Sequence, residues 1–200
     1  MIAVVRSELY RSVSIMSSWL AMIGFAFMAA LFGWFSKEAW SLFAGLGAFG
    51  IAVTVTAQHY QHRTIVQVLL NQPHRWRVLI AQCFSAAVLG TALTAVSGVA
   101  VLLGESAAHY RSTVLVAPVM AVFGTLCTVV VRHPMWLLGG VFAWLLFAEG
   151  LINRMAIGLP FASFAMASAG NTKALLVLLA WTAAAVPVAV WAIHRDVAAD

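Results

Sequence analysis

Ala57-Gln58-His59-Tyr60-Gln61-His62-Arg63-Thr64-Ile65-Val66-Gln67-Val68-Leu69-Leu70-Asn71-Gln72-Pro73-His74-Arg75-Trp76-Arg77 divides two long apolar runs. It is the only long polar stretch of the chain, so its reading sets the reading of everything around it. A helix needs about 20 apolar residues to cross a bilayer core. Outward from this segment, six runs meet that length: 15–35, 39–57, 78–103, 113–131, 135–152 and 174–193. Lipid offers no partner for backbone N–H and C=O groups, so these runs must be helical. The expected fold class is an all-α polytopic membrane protein with six spans, forming one domain over residues 1–200. Pro118 and Pro187 fall within spans, where kinks are expected.

Composition excludes a water-soluble reading. Of the 200 residues, 64% are hydrophobic and 8% charged, against about 25% charged in an ordinary soluble domain. Mean hydropathy is +0.98. The length leaves no room for an added soluble domain. The net charge of +5 forms no stripe or block, so it predicts orientation in a membrane and not a nucleic-acid partner. Cys83 and Cys127 lie in apolar runs without metal-ligand spacing and read as small buried hydrophobes. The first apolar run is too long for the hydrophobic core of a cleavable signal, so it reads as a retained span.

An even number of spans puts both termini on one face. With the termini inside, that face carries Arg6, Arg11, Arg63, Arg75, Arg77, Arg132 and Arg195, and the outer face carries Lys37, Arg111, Arg154 and Lys173. Seven basic residues against four predict cytoplasmic termini in the cell's inner (plasma) membrane. Residues 1–14 place Ile2, Val5, Leu9 and Val13 at helical spacing, which predicts an amphipathic helix on the inner surface. Residues 153–173 hold an apolar middle broken by Pro160. A re-entrant or interfacial piece before the last span is expected there.

Gly45-Leu46-Gly47-Ala48-Phe49-Gly50 matches a dinucleotide fingerprint in letters, but it sits inside a span, so close helix packing explains it. No nucleotide-binding P-loop is present in the chain. Ala86, Gly90, Thr94 and Gly98 form a ridge of small residues at four-residue spacing, for close approach of another helix within or between subunits. Glu149 is the only acid inside a span. It is either a functional intramembrane acid or a cap on a re-entrant turn, and the sequence leaves both open. His59, His62 and His74 read as a solvated basic surface, not a metal site. No catalytic, metal or cofactor constellation appears. Gln61, Thr64, Ile65 and Val68 fall on one helical face, and Pro73 ends that helix.

Three segments together carry a family resemblance. Arg6-Ser7-Glu8-Leu9-Tyr10-Arg11 is similar to an E-x-x-[KR] surface helix. Tyr60 to Ile65, then Leu69-Leu70, Pro73, Arg75-Trp76-Arg77-Val78-Leu79 and Ala81, resemble an EYRxGTI…LL…P-x-R-x-x-x-L-x-AK loop. Glu149-Gly150-Leu151-Ile152 followed by Leu159-Pro160-Phe161 resembles E-x-L-I…LPF at the end of a fifth span. The whole chain thus resembles permease subunits of ABC-2-type exporters. The resemblance implies that segment 58–77 is a coupling helix docking on a separate ABC ATPase subunit. Tyr60, Gln61, Arg63, Thr64, Ile65, Val68, Pro73 and Arg75 would carry that contact. It implies pairing with a second permease subunit, as homodimer or heterodimer, and no catalysis in this chain. The chain departs from the family pattern at His59 (usually an acid), Arg63 (usually Gly) and Gln82 (usually Lys). These changes mark either altered docking or a heteromeric pair.

Two other readings stay open at this point. One is the substrate-binding membrane component of an energy-coupling-factor importer, which would need a polar pocket near the outer face. The other is a membrane scaffold without transport activity. For an exporter, the Phe, Trp, Leu and Met side chains of the spans suit an amphipathic or hydrophobic cargo.

Overall fold

The computed structural model of the chain describes residues 7, 10, 15–61, 75–104, 107–156 and 158–194. Among these residues the fold is all-helical. In chain order the helices are α1 (Met16–Phe35), α2 (Lys37–Gln61), α3 (Arg75–Ser97), α4 (Val99–Leu103), α5 (Ala107–Val131), α6 (Pro134–Trp144) running into a π-helix (Leu145–Ile152), α7 (Pro160–Ser168) and α8 (Thr172–His194). Six stretches are long and apolar enough to cross a membrane. Trp19, Phe27 and Trp34 on α1 and Trp136, Phe147 and Ile152 along α6 and the π-helix point away from the protein. An apolar surface this extensive needs an apolar surround. The protein is a multi-pass membrane protein.

Which helix lies at the centre follows side-chain size, not hydropathy. The span of α2 has a mean hydropathy of 1.6 and is 78% buried, while that of α1 has 1.7 and is 11% buried. Between lipid-solvated helices there is little hydrophobic driving force, so close van der Waals contact decides who packs with whom. Ala48 and Ala52 of α2, Ala86 of α3 and Ala117 and Ala121 of α5 form one buried cluster where the three helices meet.

Gly45, Gly47 and Gly50 are each pressed by a neighbour. A Cβ at Gly45 would overlap the Phe164 ring of α7, and one at Gly50 would overlap the Phe25 ring of α1. One at Gly47 would lie 3.0 Å from Leu93 of α3.

The contacts fix the register. Trp40 stacks on Tyr110 at 5.8 Å, Phe49 meets Phe123 at 6.0 Å, and the Arg132 guanidinium sits 6.0 Å from the Tyr60 ring. Helices α2 and α5 therefore run parallel along their whole length. Gly90 faces Ala48, and the Ala52 side chain shares a cluster with Ala86, so α3 runs antiparallel to α2.

Three expected boundaries shift. The second span continues beyond Ala57 as helix to Gln61. The fourth begins at Ala107, well before 113. The third run is interrupted at Gly98, where a Cβ would overlap Trp40 and Tyr110. Pro118 and Pro187 lie inside unbroken helical stretches.

Candidate functional site

Glu149 is fully buried among side chains that are mostly not. The π-helix explains how. In an α-helix, residues five apart lie on different faces. The i→i+5 spacing of a π-helix brings them one above the other. Trp144 Nε1 thereby donates to Glu149 Oε1 at 3.2 Å. Leu146, Phe147, Leu151 and Ile152 face outward from the same stretch.

The carboxylate then meets α7. The Phe161 N–H donates to Glu149 Oε1 at 3.0 Å, and the Ala162 N–H donates to Oε2 at 2.5 Å. These are the second and third residues of α7, whose first N–H position is filled by Pro160. A helix leaves its first N–H groups without internal partners, and they carry partial positive charge. Leu159, at the N-cap position, has no side-chain acceptor to offer. Glu149 supplies it from another helix. The two orphan donors and the buried carboxyl group satisfy one another, which removes the cost each would carry alone.

The intervening turn is held at several points. The Met155 N–H donates to Glu149 O at 2.7 Å, and Asn153 Nδ2 donates to Ala156 O at 2.7 Å. Arg154 and Met155 adopt left-handed φ values of 49° and 57°, a conformation that non-glycine residues rarely take. Trp181 Nε1 of α8 donates to Gly158 O at 2.8 Å. Helix α7 then packs Phe161 against Phe49, at the middle of α2, with centroids 5.5 Å apart. At its other end, Ser112 Oγ near the start of α5 donates to Ser168 O. Thus α7 climbs from mid-bundle toward the end where α2 and α5 begin, and Glu149 anchors its deep end.

The opposite end of α2 holds the described part of the segment read as coupling. Tyr60 is half-buried beside Arg132, whose Nη2 donates to Ala192 O of α8 at 2.9 Å. Gln61 closes α2 and Arg75 opens α3. Arg63, Thr64, Ile65, Val68 and Pro73 lie outside the described residues, as do His62 and His74. His59 departs from the solvated surface expected of it. It lies within α2 and is 1% exposed. A hydropathy reading ends a span at the first polar cluster, whereas this helix carries its polar residues on into the packed interior.

The ridge of small residues faces inward, within the chain. Ala86 lies in the alanine cluster, a Cβ at Gly90 would sit 2.8 Å from the Ala121 Cβ, and Thr94 is fully buried. Sequence reasoning missed Trp144 and Arg132 as partners. The Trp144–Glu149 spacing would have revealed the pair only if a π-helix had been foreseen. Among the described residues, no group of three His, Cys, Asp or Glu side chains is gathered for a metal. No protein-family model, curated protein or solved structure matches the chain.

Proposed function

We propose that this protein is the membrane-spanning permease subunit of an ABC-2-type exporter, moving an amphipathic or hydrophobic cargo with energy from a separate ATPase subunit. The observation that carries this reading is the Glu149–Phe161 hydrogen bond. It joins in space the two halves of the E-x-L-I…LPF pattern, which the sequence separates by a turn.

In this reading residues 153–173 are a re-entrant element facing the outer side, residues 1–14 lie as an amphipathic helix on the inner surface, and both termini are cytoplasmic. Segment 58–77 docks on the ATPase. Two permeases, alike or different, pair to enclose the pathway. ATP binding closes the ATPase dimer, and the motion enters α2 and α3 through Gln61 and Arg75. Because Gly45 of α2 is wrapped by Phe164 of α7, a shift of α2 along its axis carries α7 with it. That coupling would switch the pair between inward-facing and outward-facing states. This chain hydrolyses nothing itself.

Mild-detergent purification of the tagged full chain from its native membrane tests the reading. An ABC ATPase subunit is expected to copurify in stoichiometric amount. Purification without one, at full recovery of the chain, overturns it.

A further inference from the structure

Most hydroxyls inside this bundle are satisfied by their own helix. Thr54, Thr94, Thr125 and Thr128 each donate to the carbonyl one turn back, at 2.7–3.1 Å. This is the usual way a membrane helix accommodates a hydroxyl. Thr56 Oγ1, Ser85 Oγ and both polar atoms of the Gln82 carboxamide break the pattern. They are buried, with 1%, 1% and 3% residue exposure, and among the described residues no hydrogen-bond partner reaches them.

The register gathers them. Ala52 and Ala86 share the alanine cluster. One turn further toward Gln61 and Arg75, these positions become Thr56 and Gln82. Leu89, Val55 and Met22 share the neighbouring cluster. One turn on in the same direction they become Ser85, His59 and Ser18. Both apolar rungs thus give way, over about one helical turn on each helix, to buried polar positions on α1, α2 and α3. Ser18 and Gln58 already bond across it at 3.0 Å.

From this arrangement we infer that the layer around Thr56, Gln82 and Ser85 is an internal binding site for ordered water. An unpaired buried amide or hydroxyl costs about 1–3 kcal/mol, and three such residues within about one helical turn call for partners from outside the side chains described. The partner must both donate and accept. Gln82 presents two N–H donors and a carbonyl acceptor, and each hydroxyl presents both kinds of group. A cation would satisfy the oxygens alone and leave Gln82 Nε2 without an acceptor. Among the described residues the acids are Glu38, at the far end of α2, and Glu149, in the π-helix, and neither falls at this level to balance a cation's charge. Water meets every requirement and is the usual occupant of such sites. The inference is independent of cargo and of any ATPase.

Hydroxyl-radical footprinting by X-ray radiolysis, on the intact protein in lipid nanodiscs, tests it. Radiolysis of a bound water oxidises the side chain beside it and spares a dry side chain of equal burial. His59 reports on the layer, Phe49 on the dry core, and exposed His133 on bulk access. We expect His59 to be oxidised within about ten-fold of the rate at His133, as for a residue beside exchanging internal water, with Phe49 far below. A slower rate at His59, or equal oxidation of Phe49, overturns the site. Gln82→Leu, which removes the central donor and acceptor at similar volume, should lower His59 oxidation about ten-fold or more. Unchanged oxidation in a folded Q82L protein also overturns it. Where Q82L does not fold, the comparison of His59 with His133 and Phe49 in the wild type decides.

Discussion

Glu149 and Phe161 are joined by a 3.0 Å hydrogen bond from the Phe161 N–H to the Glu149 carboxylate. One helix thus caps another within the membrane. Glu149→Gln should lower thermal stability and, on the proposed function, transport, while the protein stays in the membrane. The amide keeps one acceptor but turns a donor toward a backbone N–H. The expected loss is about 1–3 kcal/mol, the cost of leaving one buried donor unsatisfied. Glu149→Ala should lose more, since both donors are then orphaned. Thermal unfolding in lipid, together with a transport assay, measures it. Wild-type behaviour in both would reduce Glu149 to a dispensable cap.

Trp144→Phe tests the π-helix pairing separately. It removes the donor to Glu149 Oε1 and keeps an aromatic, though smaller, ring at the position. The loss should be about 0.5–1.5 kcal/mol, smaller than for either change at Glu149. A loss equal to that of Glu149→Ala would mean that the indole holds the turn by packing.

Gly45→Val should be strongly destabilising, because its side chain would enter the Phe164 ring. Overpacking of this kind costs about 1–3 kcal/mol. Adding Phe164→Ala should recover part of that loss. Thermal unfolding of the two single variants and the double variant gives the coupling. Strict additivity would show that the two residues do not press on each other.

On the proposed function, replacing Ile65 and Val68 by Asp should abolish copurification with an ATPase subunit and ATP-driven export, without removing the protein from the membrane. The two residues share one face of the helix that the sequence predicts for this segment. Full export by the double variant would sink the coupling role and place that face on the lipid headgroups.

Ile2→Cys in a chain lacking Cys83 and Cys127 reports orientation. An impermeant thiol reagent added to intact cells should leave position 2 unlabelled, as the basic asymmetry of the loops predicts. Efficient labelling from outside would invert the topology and detach segment 58–77 from any cytoplasmic partner.

The six helices were legible because apolar length is a near-sufficient signal in a membrane protein. The ends were less so. Gln58 and His59 look like a loop in the sequence, yet they are buried in α2. Hydropathy measures preference for lipid, and these residues face protein. Gly98 looked like one more small residue on a ridge, yet the helix breaks there under Trp40 and Tyr110. Of the site, Glu149 stood out as a lone acid, and the Leu159-Pro160-Phe161 sequence stood out by resemblance. Their hydrogen bonds did not show, because they depend on a π-helix and on a left-handed turn at Arg154 and Met155. Neither has a sequence signature of its own.

The central place of α2 bears on how the protein is made. It is the least apolar of the six spans, with a mean hydropathy of 1.6 against 2.5 for α5. Its middle sets Gly45, Gly47, Gly50, Ala48 and Ala52 among larger buried side chains such as Phe49 and Ile51, and its last turns are polar. Such a helix gains little from lipid and much from its neighbours, which follow the order of two-stage assembly. Synthesis delivers α2 to the insertion machinery before α3 and α5 exist. Only α1, which it meets along most of its length through Phe25 and Phe32, is there to receive it. The first protein surface open to α2 is therefore that of α1, and a hairpin of these two helices gives the later spans a partner to pack on.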